Sequence, residues 1–276
     1  MTLVPLSEVL QPALRDGRAI AGVVCLGWED MRAYAMAAQE VGVPVILQAG
    51  PSCRGHTPLP VLGAMMRSLA ADVDVPVVAH LDHGYTADDC RAAIEAGFTS
   101  VMFDGSNLPL ADNIAQTRAI VDMAHGAGVS CEGEIGFVGY ADGAESHGTD
   151  PQEAAAFAAE TGVDAMAISV GNVHLQTGAG AGLDEGKIAA IEAQTNVPLV
   201  IHGGSGVPHG QRAHLARHTA ICKFNIGTEL RQVFGVALRG AVARDPARFD
   251  RVDILREVED PIKAAASAVL ASLEGR

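Results

Sequence analysis

The chain has 276 residues, enough for one large α/β unit, and 49 % of them are hydrophobic while only 4 % are aromatic. Its formal net charge of −14 argues against nucleic acid and anionic membrane as partners. Its five cysteines show no CxxC spacing, which points to reduced thiols and a cytoplasmic setting. No apolar run approaches the ~18 residues of a membrane helix, and the first residues lack the charged-then-apolar pattern of a signal peptide.

Taken in order, the chain alternates. Leu3–Leu14 reads as a helix with Ser7 or Thr2 as possible caps. Ala19–Leu26 reads as a strand and Glu29–Val41 as a helix. The strand Val43–Gln48 precedes the helix Thr57–Ala71. The stretch Val75–Leu81 is short, apolar and β-branched, then breaks into His80, Asp82, His83 and Gly84. Thr86 caps the helix Ala87–Ala96, whose first turn carries Asp88 and Asp89, and Gly97 ends it. The strand Thr99–Phe103 ends at Asp104, and the helix Leu110–Ala127 follows. Val129–Cys131 runs on to Glu132 and Glu134, then into a Gly-rich loop, Ile135–Thr149, long enough for a lid or a mobile segment.

Asp150-Pro151 opens a helix to Thr161, with proline at its first position. The strand Ala165–Val170 leads to Gly171-Asn172-Val173-His174. A Gly-rich loop, Gly178–Gly182, precedes the helix Asp184–Gln194. The strand Val197–Ile201 ends at His202, the helix Pro208–Thr219 follows, and the strand Ile221–Phe224 ends at Asn225. Thr228–Ala243 is a helix, and Asp260-Pro261 opens a last helix to Leu273. Eight strand–helix units with no linker predict a single domain, 1–276: a closed (β/α)8 TIM barrel with additional terminal helices. An open doubly wound sheet is the alternative, but no GxGxxG turn follows the first strand.

The polar residues gather where the strands stop being apolar. In a parallel barrel those ends share one rim. Gln48, Asp82, His83, Asp104, Glu132, Glu134, His174, His202 and Asn225 therefore converge there, although they are far apart in sequence. A single polar strand end reads equally well as a hydrogen-bonded rim group. Three imidazoles, His83, His174 and His202, from three strand ends match the three-ligand arrangement of a catalytic zinc. His80 reads as structural, one step below the rim. His56, His125, His147, His209, His214 and His218 fall in helices or loops and read as surface residues. His202-Gly203-Gly204-Ser205-Gly206 and Asn225-Ile226-Gly227-Thr228 each turn into a helix, a pattern suited to a phosphate. Plain helix caps are the competing reading of both.

These segments, together with Ala79–Gly84, Ser100–Ser106, Glu132–Gly136 and Lys223–Arg231, resemble the class II, metal-dependent ketose-bisphosphate aldolases over nearly the whole chain. The resemblance implies aldol cleavage of a phosphorylated ketose into a dihydroxyacetone-phosphate-type half and an aldehyde, through a metal-stabilised enediolate. It implies Zn2+ on His83, His174 and His202, with Asp104 and Glu134 at a second or displaced metal position. Asp82 becomes the acid/base for the aldehyde-derived oxygen. Asp142 of the long loop, with Glu145 as alternative, handles the proton at the ketose carbon. Gly203, Gly204, Ser205, Asn225, Gly227 and Thr228 hold the phosphate, with a monovalent cation (Na+ or K+) close by. A homo-oligomer, dimer or tetramer, is also implied.

No lysine stands at a strand end to form a Schiff base, since Lys223 lies inside the last strand; this agrees with Lewis-acid chemistry. The chain departs from the family at three places. Cys25 stands where the family often has Asn, Gly50 where it has Ser, and Leu175 where it has Gly. A family Lys or Tyr is also missing from Gln176–Leu183. These departures weigh against fructose 1,6-bisphosphate itself as substrate. Two other readings stay open: an epimerase or isomerase on the same rim, with Asp82 opposed by Asp142 or Glu145, and a non-catalytic sugar-phosphate sensor.

Overall fold

The computed structural model describes residues 2–141, 143–177, 180 and 182–274. Its element order is α1 (Leu6–Asp16), β1 (Ile20–Val24), α2 (Trp28–Val41), β2 (Val45–Ala49), α3 (Pro51–His56), α4 (Leu59–Ala71), β3 (Val77–Gly84) and α5 (Ala87–Glu95). There follow β4 (Ser100–Phe103), α6 (Leu110–Gly126), β5 (Ser130–Ile135), α7 (Pro151–Thr161), β6 (Ala165–Ile168) and α8 (Glu185–Glu192). The chain ends with β7 (Leu199–Ile201), α9 (His209–His218), β8 (Ile221–Ile226), α10 (Thr228–Arg244) and α11 (Arg251–Ser272). All eight strands pair in parallel with their sequence neighbours, and β8 pairs with β1, so the sheet closes into the expected (β/α)8 barrel.

The strands are nearly continuous apolar runs because both faces are covered. Outward residues such as Val45, Leu47, Val77 and Ala79 pack under the helices in the main core. Inward residues Ile20, Ile46, Val78, Ala165, Ala167 and Val200 meet Leu6, Val9, Leu10 and Ala13 of α1, which plugs the N-terminal end of the barrel. That plug confines the cavity to the opposite rim. Among the described residues no helix is long and apolar enough to cross a membrane.

Thr86 and Asp150 cap α5 and α7 as the sequence predicts, each accepting from the backbone N–H groups of the first turn. Elsewhere the boundaries move. α1 starts after Pro5, so neither Thr2 nor Ser7 is its cap. The expected helix Thr57–Ala71 is α4, which starts two residues later at Leu59, and the sequence reading misses the short α3 that Pro51 opens and that ends at Thr57-Pro58. The last helix begins at Arg251, where Asp250 accepts from Val252 N and Asp253 N, and runs through Pro261. Asp260-Pro261 is therefore interior to a 22-residue helix that packs on α2 and α10. The predicted loop after β5 is partly ordered by backbone pairing. Phe137 and His147 exchange N–H···O bonds of 2.8 Å, and Tyr140 forms a bridge with His174.

Candidate active site

β3 delivers Asp82 and His83 to the rim with an irregular end, since its register with β4 shifts between Leu81 and Gly84. His83 adopts φ 53°, a left-handed conformation that costs a non-glycine residue about 1–2 kcal/mol. The guanidinium of Arg54, on α3, donates to the carbonyls of Asp82 (2.8 Å) and His83 (2.6 Å) and so holds that turn. His174 comes from beyond β6, six residues after the strand ends. Asn172 fixes this excursion: its Oδ1 accepts from Val170 N, and its Nδ2 donates to the carbonyls of Ile168 and His202. Tyr140 stacks on the His174 ring with centroids 5.0 Å apart.

The three imidazoles converge. Ring centroids are 4.7 Å apart for His83–His202, 5.2 Å for His83–His174 and 5.6 Å for His174–His202. One ring nitrogen from each lies within 4.8 Å of the others. A second set, His83, Asp104 and Glu134, meets the same criterion. His83 Nδ1 sits 2.8 Å from Asp104 Oδ2, which leaves its Nε2 facing His202 Nδ1 at 3.1 Å. Buried Glu134 Oε2 has no hydrogen-bond partner among the described residues, yet it lies 3.7 Å from His202 Nδ1 and 3.9 Å from His83 Nδ1. A buried carboxyl oxygen lying 3.7–3.9 Å from two imidazole nitrogens, beyond hydrogen-bond distance of either, leaves room for a cation that all three could share. The donor set, imidazole with carboxylate, fits zinc or a similar divalent ion.

The cluster shifts its own protonation. Burial disfavours imidazolium at His83, but Asp82, the bond to Asp104, and Glu134 outweigh it and raise the pKa to about 9. Burial raises the Asp104 carboxyl, but the His83 contact wins and lowers it to about 2. Glu134 rises to about 8, from burial first and the charge of Asp104 second. His174 falls to about 4 and His202 well below the usual imidazole range, in each case from burial and then from His83. Burial opposes ionisation of Asp82, yet His83, His202 and Lys223 hold it below its usual value. The result is a carboxylate next to two neutral imidazoles that keep lone pairs for a cation.

Above the cluster opens a cavity of about 340 Å³. Asp82, His83 and His174 form part of its floor. Gly203, Ser205, Asn225, Gly227 and Thr228 line one wall, whereas Gly204 lies behind it, buried against the Asn225 carbonyl. The segment after His202 is a 3-10 turn, Gly204–Gly206, with α9 starting only at His209. Gly203 has φ 64°, and a Cβ there would run into the Val173 carbonyl. Ser205 Oγ accepts from Gly227 N (3.2 Å) and Glu229 N (3.3 Å), which ties this turn to the N-terminus of α10. Arg212 braces the join, donating to the carbonyls of Val207 and Ser205 and pairing with Glu229 at 2.8 Å. The two Gly-rich segments are thus one wall with a helix N-terminus at its edge, a setting that favours an anion.

Of the departures, Gly50 and Leu175 line the cavity. Asp82 Oδ2 lies 3.4 Å from where a Gly50 Cβ would be, so the absent side chain leaves open space beside Asp82. Cys25 is fully buried behind the wall, which Val24 and Leu26 form instead. Glu145 is exposed, and Asp142 lies outside the described residues. Several wall residues carry no strand-end signal in the sequence: Ser52, Cys53, Tyr140, Gln176 and Arg231. Arg231 had a cue, since it stands three positions after Thr228 on the same helix face.

A family model described as "Fructose-bisphosphate aldolase class-II" matches residues 4–275. The 6-phospho-5-dehydro-2-deoxy-D-gluconate aldolase of Shouchella clausii (strain KSM-K16) is 38 % identical over 267 residues, 93 % of this chain and 89 % of that protein. The fructose-bisphosphate aldolase of Geobacillus stearothermophilus is 36 % identical over 271 residues, 96 % and 94 % of the two chains. Among solved structures, the YdjI aldolase from Escherichia coli K12 superposes with a TM-score of 0.86 at 31 % identity, covering 98 % of this chain and 97 % of that one.

Proposed function

This chain belongs to the class-II fructose-bisphosphate aldolase family, and from that premise we propose that it is a zinc-dependent aldolase cleaving a phosphorylated ketose reversibly. The observation that carries the reading is the convergence of His83, His174 and His202 beside the carboxylate of Asp82. The three imidazoles would hold the ion, with Glu134 and Asp104 available to it as a second set. A divalent cation bound there supplies Lewis-acid stabilisation of the negative charge that develops on the substrate carbonyl.

The chain's own groups do the rest. Asp82 accepts the proton of the hydroxyl on the carbon that becomes the aldehyde. The C–C bond breaks, and its electron pair moves toward the neighbouring carbonyl oxygen. Asn225 Nδ2 donates to Asp82 Oδ1 at 3.3 Å and orients that carboxylate, leaving Oδ2 on the Gly50 side for the substrate. Gly203, Ser205, Gly227 and Thr228 take the phosphate against the α10 N-terminus, and Gly204 shapes the turn from behind. Asp142, or Glu145, returns a proton to the ketose carbon from the loop after β5. A monovalent cation beside the phosphate, assembly into a dimer or tetramer, and a cytoplasmic setting belong to the same proposal.

The names of the two relatives differ in substrate, and identities of 38 % and 36 % do not choose between them. The test is a retro-aldol screen of the zinc-loaded protein with cobalt and EDTA controls. It covers ketose mono- and bisphosphates together with 6-phospho-5-dehydro-2-deoxy-D-gluconate. Cleavage that EDTA abolishes and zinc restores is expected. The absence of both cleavage and exchange of the dihydroxyacetone phosphate α-proton would overturn the reading. A product with the substrate's carbon count would point to an epimerase instead.

A further inference from the structure

Inside the barrel, one step below the rim, lies a polar layer that does not line the substrate cavity. His80 on β3, Glu132 on β5 (which the sequence reading places at the rim) and Lys223 on β8 are all fully buried. Each stands two residues before a rim group of its own strand (Asp82, Glu134 and Asn225), so the strand period turns it inward as well. Lys223 Nζ is 2.6 Å from Glu132 Oε2. The other carboxylate oxygen, Glu132 Oε1, is 3.1 Å from His202 Nε2. The second nitrogen of that imidazole, Nδ1, faces the cluster, 3.1 Å from His83 Nε2.

The contact decides a tautomer. A carboxylate oxygen only accepts, so His202 Nε2 must carry the hydrogen in this bond. A neutral imidazole has one N–H, and Nδ1 is then left with its lone pair pointing into the cluster. Lys223 matters because it occupies Oε2 and supplies the countercharge, which keeps Oε1 turned toward His202. Fully buried ion pairs are a poor source of stability, since apolar replacements of similar volume are often neutral or better. What this pair offers in return is the orientation of one ring.

We propose that Glu132 and Lys223 are positioning residues that preset His202 as the Nε2–H tautomer and so present Nδ1 as its metal-binding atom. The proposal rests on the reading of His83, His174 and His202 as ligands. It goes beyond that reading by assigning a role to two residues, 91 positions apart, that touch neither the ion nor the substrate cavity.

Two measurements test it. The first is the ring nitrogen spectrum of His202 in the chelator-treated wild-type protein, labelled with 15N-histidine and assigned by comparison with His202→Gln. An Nε2–H signature is expected, and an Nδ1–H signature overturns the proposal whatever the variants do. The second is zinc affinity, by chelator competition, in the charge-balanced double variant Glu132→Leu/Lys223→Met. The expected loss is about 10- to 100-fold, the usual effect of removing an outer-shell partner. Thermal stability is expected to be unchanged or higher. Zinc affinity equal to wild type in the folded double variant overturns the proposal and identifies the pair as merely structural. Failure of the underlying site looks different: His83→Ala, His174→Ala and His202→Ala would then all retain the wild-type zinc content.

Discussion

Arg54 Nη2 donates to the carbonyl oxygen of His83 at 2.6 Å, at the residue whose backbone is left-handed with φ 53°. The same guanidinium reaches the Asp82 carbonyl through Nη1, and its carbon lies 5.8 Å from the Tyr85 ring centroid. The fork thus holds two successive carbonyls of a strained turn that carries both the proposed proton carrier and a proposed ligand. Arg54→Ala is expected to cost about 1.5–3 kcal/mol, the usual worth of a hydrogen bond to a charged group. It should also weaken zinc binding by about 10-fold or more. Arg54→Lys cannot reproduce the planar fork and is expected to rescue only part of either effect. Calorimetry and chelator competition check the two quantities separately.

The rim histidines and Asp82 should separate cleanly in metal analysis. His83→Ala, His174→Ala and His202→Ala each remove one member of a three-nitrogen set, so bound zinc should fall in all three variants. Asp82 donates no atom to that set and has its own partner in Asn225. Asp82→Asn should therefore keep the metal and lose about 10²- to 10⁴-fold in cleavage rate, the usual share of a positioned acid or base. Metal content by emission spectroscopy and single-turnover kinetics provide the two readouts. Full zinc in all three histidine variants would sink the assignment.

Much of this was legible because a buried strand advertises its end. The apolar runs before Asp82, Asp104, His202 and Asn225 stop at the rim, and the closed parallel barrel brings those stops together around one cavity. Arg54 was not legible. It sits in a six-residue helix with no room for a periodic pattern, and its partners are carbonyls, which leave no trace in sequence. Lys223 and Glu132 were visible as residues but not as a pair, because a charge within a strand does not name its partner across a barrel. The inward alternation with Asn225 and Glu134 was the available cue. Pro261 misled the reading of the last helix, since Asp-Pro resembles a helix start, while the true cap is Asp250.

The cluster makes the metal-free protein sensitive to alkali. His83 titrates near 9 in the fold against about 6.5 unfolded, so its contribution is complete below pH ~6.5 and is lost as pH rises through 9. Glu134 titrates near 8 against about 4.5, so the fold retains a proton there that the unfolded chain has released, and stability again falls as pH rises toward 8. Asp104, lowered to about 2, acts only at the acid end, where its contribution is lost as pH falls from about 4 toward 2. The chelator-treated protein should thus lose thermal stability steadily between pH 6 and pH 9. Zinc binding displaces the same protons, so its affinity should rise over that interval, up to about tenfold per pH unit for each proton released. Glu134→Gln should flatten the Glu134 part of the stability profile. Scanning fluorimetry across pH, with zinc and with chelator, measures both trends. A metal-free melting temperature that climbs from pH 6 to pH 9 would contradict the assignment.

Leu175 is the departure whose cost can be separated from its use. It follows His174, lines the cavity, and holds φ 57°, a conformation that glycine adopts freely and leucine does not. The residue is 53 % exposed, so little packing compensates. Leu175→Gly relieves the strain, whereas Leu175→Ala keeps it, and both remove the isobutyl group from the wall. The glycine variant should accordingly be more stable than the alanine variant by roughly 1 kcal/mol. If the leucine narrows the mouth for the aldehyde half, both variants should shift KM in the same direction for the longer substrates and leave zinc affinity unchanged. A KM shift confined to the glycine variant would instead trace the effect to backbone freedom beside His174. Urea melts of the two variants and a KM series against aldehyde chain length distinguish these outcomes.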